Sequence, residues 1–90
     1  MRDTYRISEL AKKAEVTKRT VHYYVGRGLL PPPEGAGVGS TYSDEHLVKL
    51  KLIKQLQERY FPLDQIRSMI ADMTLEEAKR LLAEPETLPV

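Results

Sequence analysis

Ninety residues make one domain, at the small end of what folds unaided, and the lack of cysteine excludes disulfides, thiolate metal sites and cysteine nucleophiles together. The formal net charge of +1 is unevenly spread: residues 1–30 hold seven Lys/Arg against three Asp/Glu, residues 31–60 four of each, and residues 61–90 three against six. No apolar run approaches the roughly 18 residues that span a bilayer, and the opening MRDTYRISEL lacks the apolar stretch of a secretory signal, so a soluble cytoplasmic protein with no membrane partner is expected.

Tyr5, Arg6 and Ile7 fit a short strand or an extended lead-in. Ser8 is a candidate N-cap, with Glu9 in the first turn, and Leu10, Ala11 and Ala14 share one face at helical spacing. Val16 follows a tight turn and is expected in the core. Thr17 is placed to cap a second helix whose inner side is Val21, Tyr24 and Val25. Gly28 is a natural stop for it. Leu29 and Leu30 read as a short buried strand. Pro31, Pro32 and Pro33 forbid helix and favour an extended arm, and Gly35, Gly37 and Gly39 free its tip. Thr41 and Tyr42 are expected to pair back on Leu29 and Leu30, closing a two-stranded wing.

Ser43 is placed to cap a third helix, with Asp44 and Glu45 in its first turn. Leu47, Leu50, Ile53, Leu56 and Tyr60 recur every three or four residues as its inner stripe, while Lys49, Lys51, Lys54 and Arg59 lie on the other, solvated face. Pro62 breaks the path and starts a fourth helix, with Leu63, Ile66, Met69 and Ile70 as its apolar stripe. Thr74 and Glu77 form a capping-box pattern ahead of a fifth segment bearing Leu75, Ala78, Leu81 and Leu82, which Pro85 and Pro89 end.

The first two helices have the spacing of a helix-turn-helix. Ala11 is the small residue where the helices touch, Val16 the apolar residue past the turn, and Val21 the apolar residue in the middle of the second helix. The turn between them favours glycine, because its backbone takes a positive φ; here the position holds Glu15, which implies either a slightly strained turn or a different one. The second helix is apolar inside and basic, aromatic and hydrogen-bonding outside, which suits the DNA major groove.

From Tyr5 through Met73 the chain resembles the DNA-binding domain of the MerR family of bacterial transcription regulators. The resemblance lies in YRISELAKKAEVTKRTVHYYVGRGLLPP, then TYSDEHLVKLKLIKQL, then FPLDQIRSMI, in the family's order. It implies a mainly α fold: a winged helix-turn-helix with a short two-stranded wing and additional C-terminal helices. Residues 1–73 then form the DNA-binding domain, and residues 74–90 a short helical tail, a remnant or the start of a dimerisation helix. About 17 Å of helix from eleven residues is too little for a stable two-stranded coiled coil.

The resemblance implies a DNA-binding set of Thr17, Lys18, Arg19, Thr20, His22, Tyr23 and Arg27 from the second helix and its end, with Ser40, Thr41 and Tyr42 from the wing. Arg19 is the expected base contact, since its fork matches guanine, and Tyr23 an expected phosphate donor. Tyr24 is expected to face the core. His22 stands where the family usually has Arg, which replaces a fixed charge with a group mostly neutral at pH 7. Ser40 stands where the family often has Arg, a change that costs affinity more than specificity, because phosphate contacts position and base contacts specify.

The expected partner is double-stranded DNA at a promoter-like, palindromic site, with RNA polymerase reached indirectly; a homodimer through Leu75, Leu81 and Leu82 is one route to useful affinity. No catalytic set converges, so no enzyme is expected, and no cofactor. Two histidines 24 residues apart lack metal-ligand spacing; His46 reads as a surface residue without a role. Competing readings are an excisionase-like architectural protein that bends DNA, and a protein-interaction module on the same fold.

Overall fold

The computed structural model describes residues 4–35 and 39–83. Among them the order is β1 (Thr4–Tyr5), α1 (Ile7–Ala14), α2 (Lys18–Gly26), β2 (Tyr42–Ser43), α3 (Asp44–Glu58), α4 (Leu63–Ala71) and α5 (Leu75–Ala83). The fold is mainly helical, with one short antiparallel pair of strands. Gly37, Pro85 and Pro89 lie outside the described residues.

Helix α1 begins earlier than Ser8. Glu9 reaches back to accept a hydrogen bond from the Arg6 amide at 3.2 Å, and that three-residue reach fixes the cap at Arg6. Leu10, Ala11 and Ala14 are buried as their spacing predicts. Three helices then end alike. At α1 the Glu15 and Val16 amides bond the Lys12 and Ala11 carbonyls at 3.2 and 2.9 Å. At α2, Gly28 and Leu29 bond Val25 and Tyr24, and at α3, Tyr60 and Phe61 bond Gln57 and Leu56. Each is the paired bonding of a Schellman end, and each needs a left-handed residue: Glu15 at φ 59°, Gly28 at 81° and Tyr60 at 69°.

The α2 ending also decides the next segment. The Leu29 amide is taken by the Tyr24 carbonyl at 2.9 Å, so it has no ladder bond to offer, and Leu29 and Leu30 are core plugs in place of the expected strand. The pairing shifts accordingly: β2 pairs with β1, Thr4 opposite Ser43 and Tyr5 opposite Tyr42. The wing, running from Pro31 to Thr41, is closed at its base by reciprocal bonds between Glu34 and Thr41 of 3.0 and 2.8 Å.

Helix α3 is the hub, touching α1, α4, α5 and β2. Neighbours on several sides bury more of it than one stripe: Val48 and Leu52 join Leu47, Leu50, Ile53 and Leu56 in the core. Tyr60, expected to complete that stripe, is instead 93% exposed, because the helix has already turned away at Arg59. Lys49 is also misplaced by the single-stripe reading. It is buried and held by Glu45 at 2.9 Å one turn earlier, while Lys51 stays exposed.

In α4, Ile66 and Ile70 are buried, with Leu63 and Met69 packed at the edge. The cap of α5 has the expected reciprocal form: Thr74 amide to Glu77 at 2.9 Å and Glu77 amide to the Thr74 hydroxyl at 3.1 Å. Ala78 carries α5 against the core and is fully buried.

Candidate nucleic-acid interface

The geometry of α2 follows from one turn and one cap. Ala11 and Val21 are buried between α1 and α2, and Val16 packs against the same core. This pins the start of α2 close to the end of α1. The Thr17 hydroxyl accepts from the Thr20 amide at 3.1 Å and shares a hydrogen bond with the Thr20 hydroxyl at 2.9 Å. The cap therefore satisfies one orphan amide of the first turn.

With Val21 and Tyr24 turned inward, the helical period sends Lys18, Arg19, His22 and Tyr23 outward, and all four are exposed. The first turn of α2 holds no acidic residue, and its two cations sit at the positive end of the helix dipole. That is mildly unfavourable for the helix itself, by a few tenths to about 1 kcal/mol. The same arrangement of free amides and cations favours an anion.

Tyr24 is in the core as its spacing predicts, its hydroxyl donating to Gln57 Oε1 at 3.1 Å. Burial raises its phenol pKa above the ordinary 10.0. Tyr23 stands beside it, ring centroids 5.8 Å apart, with its other face available at 48% exposure. The Arg27 guanidinium lies 5.8 Å from the Tyr23 ring centroid and 3.9 Å from the Asp64 carboxylate of α4. An exposed pair at that distance is worth at most about 1 kcal/mol, so Arg27 can exchange it for a phosphate.

The wing stands next to the outer part of α2. A cleft of about 530 Å³ runs between them, lined by His22, Val25 and Gly26 on one side and by Pro33, Ser40 and Tyr42 on the other. Ser40 is half-buried on its wall, while Thr41, also half-buried, lines the separate cleft beside His46. Tyr42 departs from the expected set: its ring is 3% exposed and packs edge-on to His46 at 5.1 Å. Its side chain holds the wing to the core, and burial raises its pKa.

Two side chains were misjudged or missed by the sequence reading. Arg67 of α4 lies over the end of α2, its Cδ 3.7 Å from where a Cβ at Gly28 would sit, and so adds a cation beside Arg27. His46, expected on the surface, is 4% exposed. Its Nδ1 accepts from the Ser43 amide at 3.0 Å and its Nε2 lies 2.8 Å from the Pro31 carbonyl. The partner at Pro31 is fifteen positions away, which no local pattern reveals. Lys54 reaches Glu15, 3.5 Å from its carboxylate.

Among the described residues no group of three or more His, Cys, Asp or Glu is arranged to hold a metal. No helix among them is long and apolar enough to cross a membrane.

Comparison with known proteins agrees with this architecture. The family described as MerR HTH family regulatory protein matches residues 5–73. The mercuric resistance operon regulatory protein of Bacillus cereus is 40% identical over 76 residues, 83% of this chain and 58% of that protein. The HTH-type transcriptional regulator CueR of Bacillus subtilis is 38% identical over 77 residues, 86% of this chain and 54% of that protein. The crystal structure of the transcription regulator PbrR691 from Ralstonia metallidurans, in complex with lead(II), superposes with a TM-score of 0.67 at 33% identity, covering 92% of this chain and 58% of that one. The chain thus spans little more than half the length of these relatives. Fold, helix-turn-helix and sequence converge on one conclusion: the chain belongs to the MerR family of helix-turn-helix transcription regulators, a family of DNA-binding proteins and not of enzymes, and carries that family's DNA-binding domain.

Proposed function

We propose that this domain binds a promoter-like, palindromic duplex with α2 in the major groove and the wing on the adjacent backbone. The observation that carries the reading is the outward face of α2, where Lys18, Arg19, His22 and Tyr23 are exposed opposite the buried Val21 and Tyr24. Arg19 reads a guanine edge through its two-pronged donor set. Lys18, Thr17 and Thr20 hold the phosphates at the helix N-terminus, and the Tyr23 hydroxyl donates to another. His22 and Ser40 face the strand that passes through the cleft between α2 and the wing, Thr41 holds a phosphate from the wing base, and Arg27 and Arg67 extend the basic edge.

Residues 1–73 are the DNA-binding unit in this reading, and α5 begins a dimerisation helix, with Leu75, Leu81 and Leu82, half-buried against the core, offering their remaining surface to a second copy. The protein acts in the bacterial cytoplasm, on the nucleoid, and reaches RNA polymerase through the DNA it holds. The metals in the names of two relatives belong to those proteins; these 90 residues offer no thiolate to hold one.

Fluorescence anisotropy with a labelled duplex tests the reading. Arg19→Ala is expected to weaken binding by about 1–3 kcal/mol, roughly five- to 150-fold. Unchanged affinity would leave the fold with a partner other than DNA.

A further inference from the structure

Both ring nitrogens of His46 are committed across the base of the wing. Nε2 lies 2.8 Å from the Pro31 carbonyl, where the wing begins. Nδ1 lies 3.0 Å from the Ser43 amide, where the chain leaves β2 for α3. A carbonyl only accepts and an amide N–H only donates, so Nε2 carries the hydrogen and Nδ1 is bare. This geometry requires the neutral ring. A second proton must go onto Nδ1, where it confronts the Ser43 N–H. The Ser43 hydroxyl, 3.2 Å from Nδ1, can accept the new N–H only if the ring turns from the amide, which then loses its acceptor.

The surroundings offer little compensation. Glu45 favours the cation, but Lys49 opposes it and is itself bound to Glu45 at 2.9 Å. From the wing side the neighbours in the adjoining cleft are Glu34, Thr41 and Tyr42, and from β1, Thr4. Burial outweighs Glu45 and the Pro31 and Pro32 carbonyls, and holds the imidazole pKa below the ordinary 6.5.

We propose that His46 is a proton-operated latch on the wing: the neutral ring ties the Pro31 and Ser43 stems together, and protonation breaks the Ser43 end of the tie and weakens the wing's hold on DNA. The DNA half of this inference rests on the function proposed above.

A His22→Gln chain serves as the reference, so that His46 is the sole imidazole followed, and its own affinity, lowered by the loss of a residue facing the DNA, is the baseline. Imidazole and amide NMR spectra are followed from about pH 7.5 to about pH 5. His46 is expected to start as the Nε2–H tautomer. The Glu34 and Thr41 amides, which close the wing base, are expected to lose exchange protection with the His46 midpoint. Duplex affinity falls about tenfold over the same range, the equivalent of one lost contact. Adding His46→Gln flattens that pH dependence. Glu34 and Thr41 amides that ignore the His46 titration, a slope that survives His46→Gln, or a ring that stays neutral until the whole chain unfolds would each overturn the latch. Arg19→Ala at about pH 7.5 tests the DNA reading separately. If it binds like the reference while the wing amides still follow His46, the functional reading fails and the latch stands.

Discussion

Glu15, Gly28 and Tyr60 occupy the same left-handed position at three helix ends, and glycine fills only one of them. A side chain there costs about 1–2 kcal/mol. Tyr60 is 93% exposed and has little packing to offset that cost. Tyr60→Gly is therefore expected to raise stability by about 1 kcal/mol, a rise of roughly 4–8 °C in Tm for a domain of this size. Gly28→Ala runs the other way. The added Cβ has ordinary contacts, the nearest at 3.7 Å, so the loss of about 1–2 kcal/mol is backbone strain alone. Thermal unfolding of the two variants checks both signs.

His46 makes the residue scale pH-dependent. Its folded-state pKa lies below the unfolded value of about 6.5. Between the two values the unfolded chain binds more protons, so stability falls as the pH drops. The stability His46 contributes is full above about pH 6.5 and is lost as the pH falls toward the depressed folded value. Denaturant unfolding at about pH 7.5 and about pH 5.5 is expected to show a smaller difference in His46→Gln than in the parent chain.

At the scale of elements, α2 is poised against its own stability. Lys18 and Arg19 crowd the positive end of its dipole, and Thr17 is the group that offsets them. Thr17→Ala is expected to cost about 1 kcal/mol, measured by urea unfolding, and to loosen the face proposed to contact DNA. This helix was legible in the sequence because its cap, its inner pair Val21 and Tyr24, and its outer cations are all local signals. The cap of α5 was legible for the same reason, since Thr74 and Glu77 meet within one turn.

What the sequence hid lies partly in competing local bonds and partly in distant neighbours. The Leu29 amide is consumed by Tyr24, so a run that looks like a strand is not one. Lys49 lies on the face that a single stripe leaves to solvent, but α3 has neighbours on several sides and buries it. Tyr42 reads as a wing hydroxyl and is held in the core by β1 and His46. Ser8 lost the cap of α1 to Arg6 because Glu9 bonds three residues back, not one.

At the scale of the molecule, the charge gradient and the core act together. The basic N-terminal third carries α2, while the acidic last third supplies α4 and α5, of which α4 sets Asp64 and Arg67 beside the end of α2. With about four to six phosphate contacts, the logarithm of affinity is expected to fall with the logarithm of salt at a slope of about −4 to −5, and binding by a monomer to be micromolar at physiological salt. Anisotropy titrations across a salt series check the slope. Helix α5 is part of this body through Ala78, which is fully buried. Ala78→Leu is expected to overpack that contact and cost about 1–3 kcal/mol, a loss read by thermal unfolding.

The outward face of α2 is tested most directly by selecting bound sequences from a random duplex library, with the parent chain and with Arg19→Ala in parallel. The parent is expected to yield a symmetric consensus with a guanine that the Arg19→Ala selection no longer demands. An identical consensus from both chains, or no enrichment by the parent, would contradict the account.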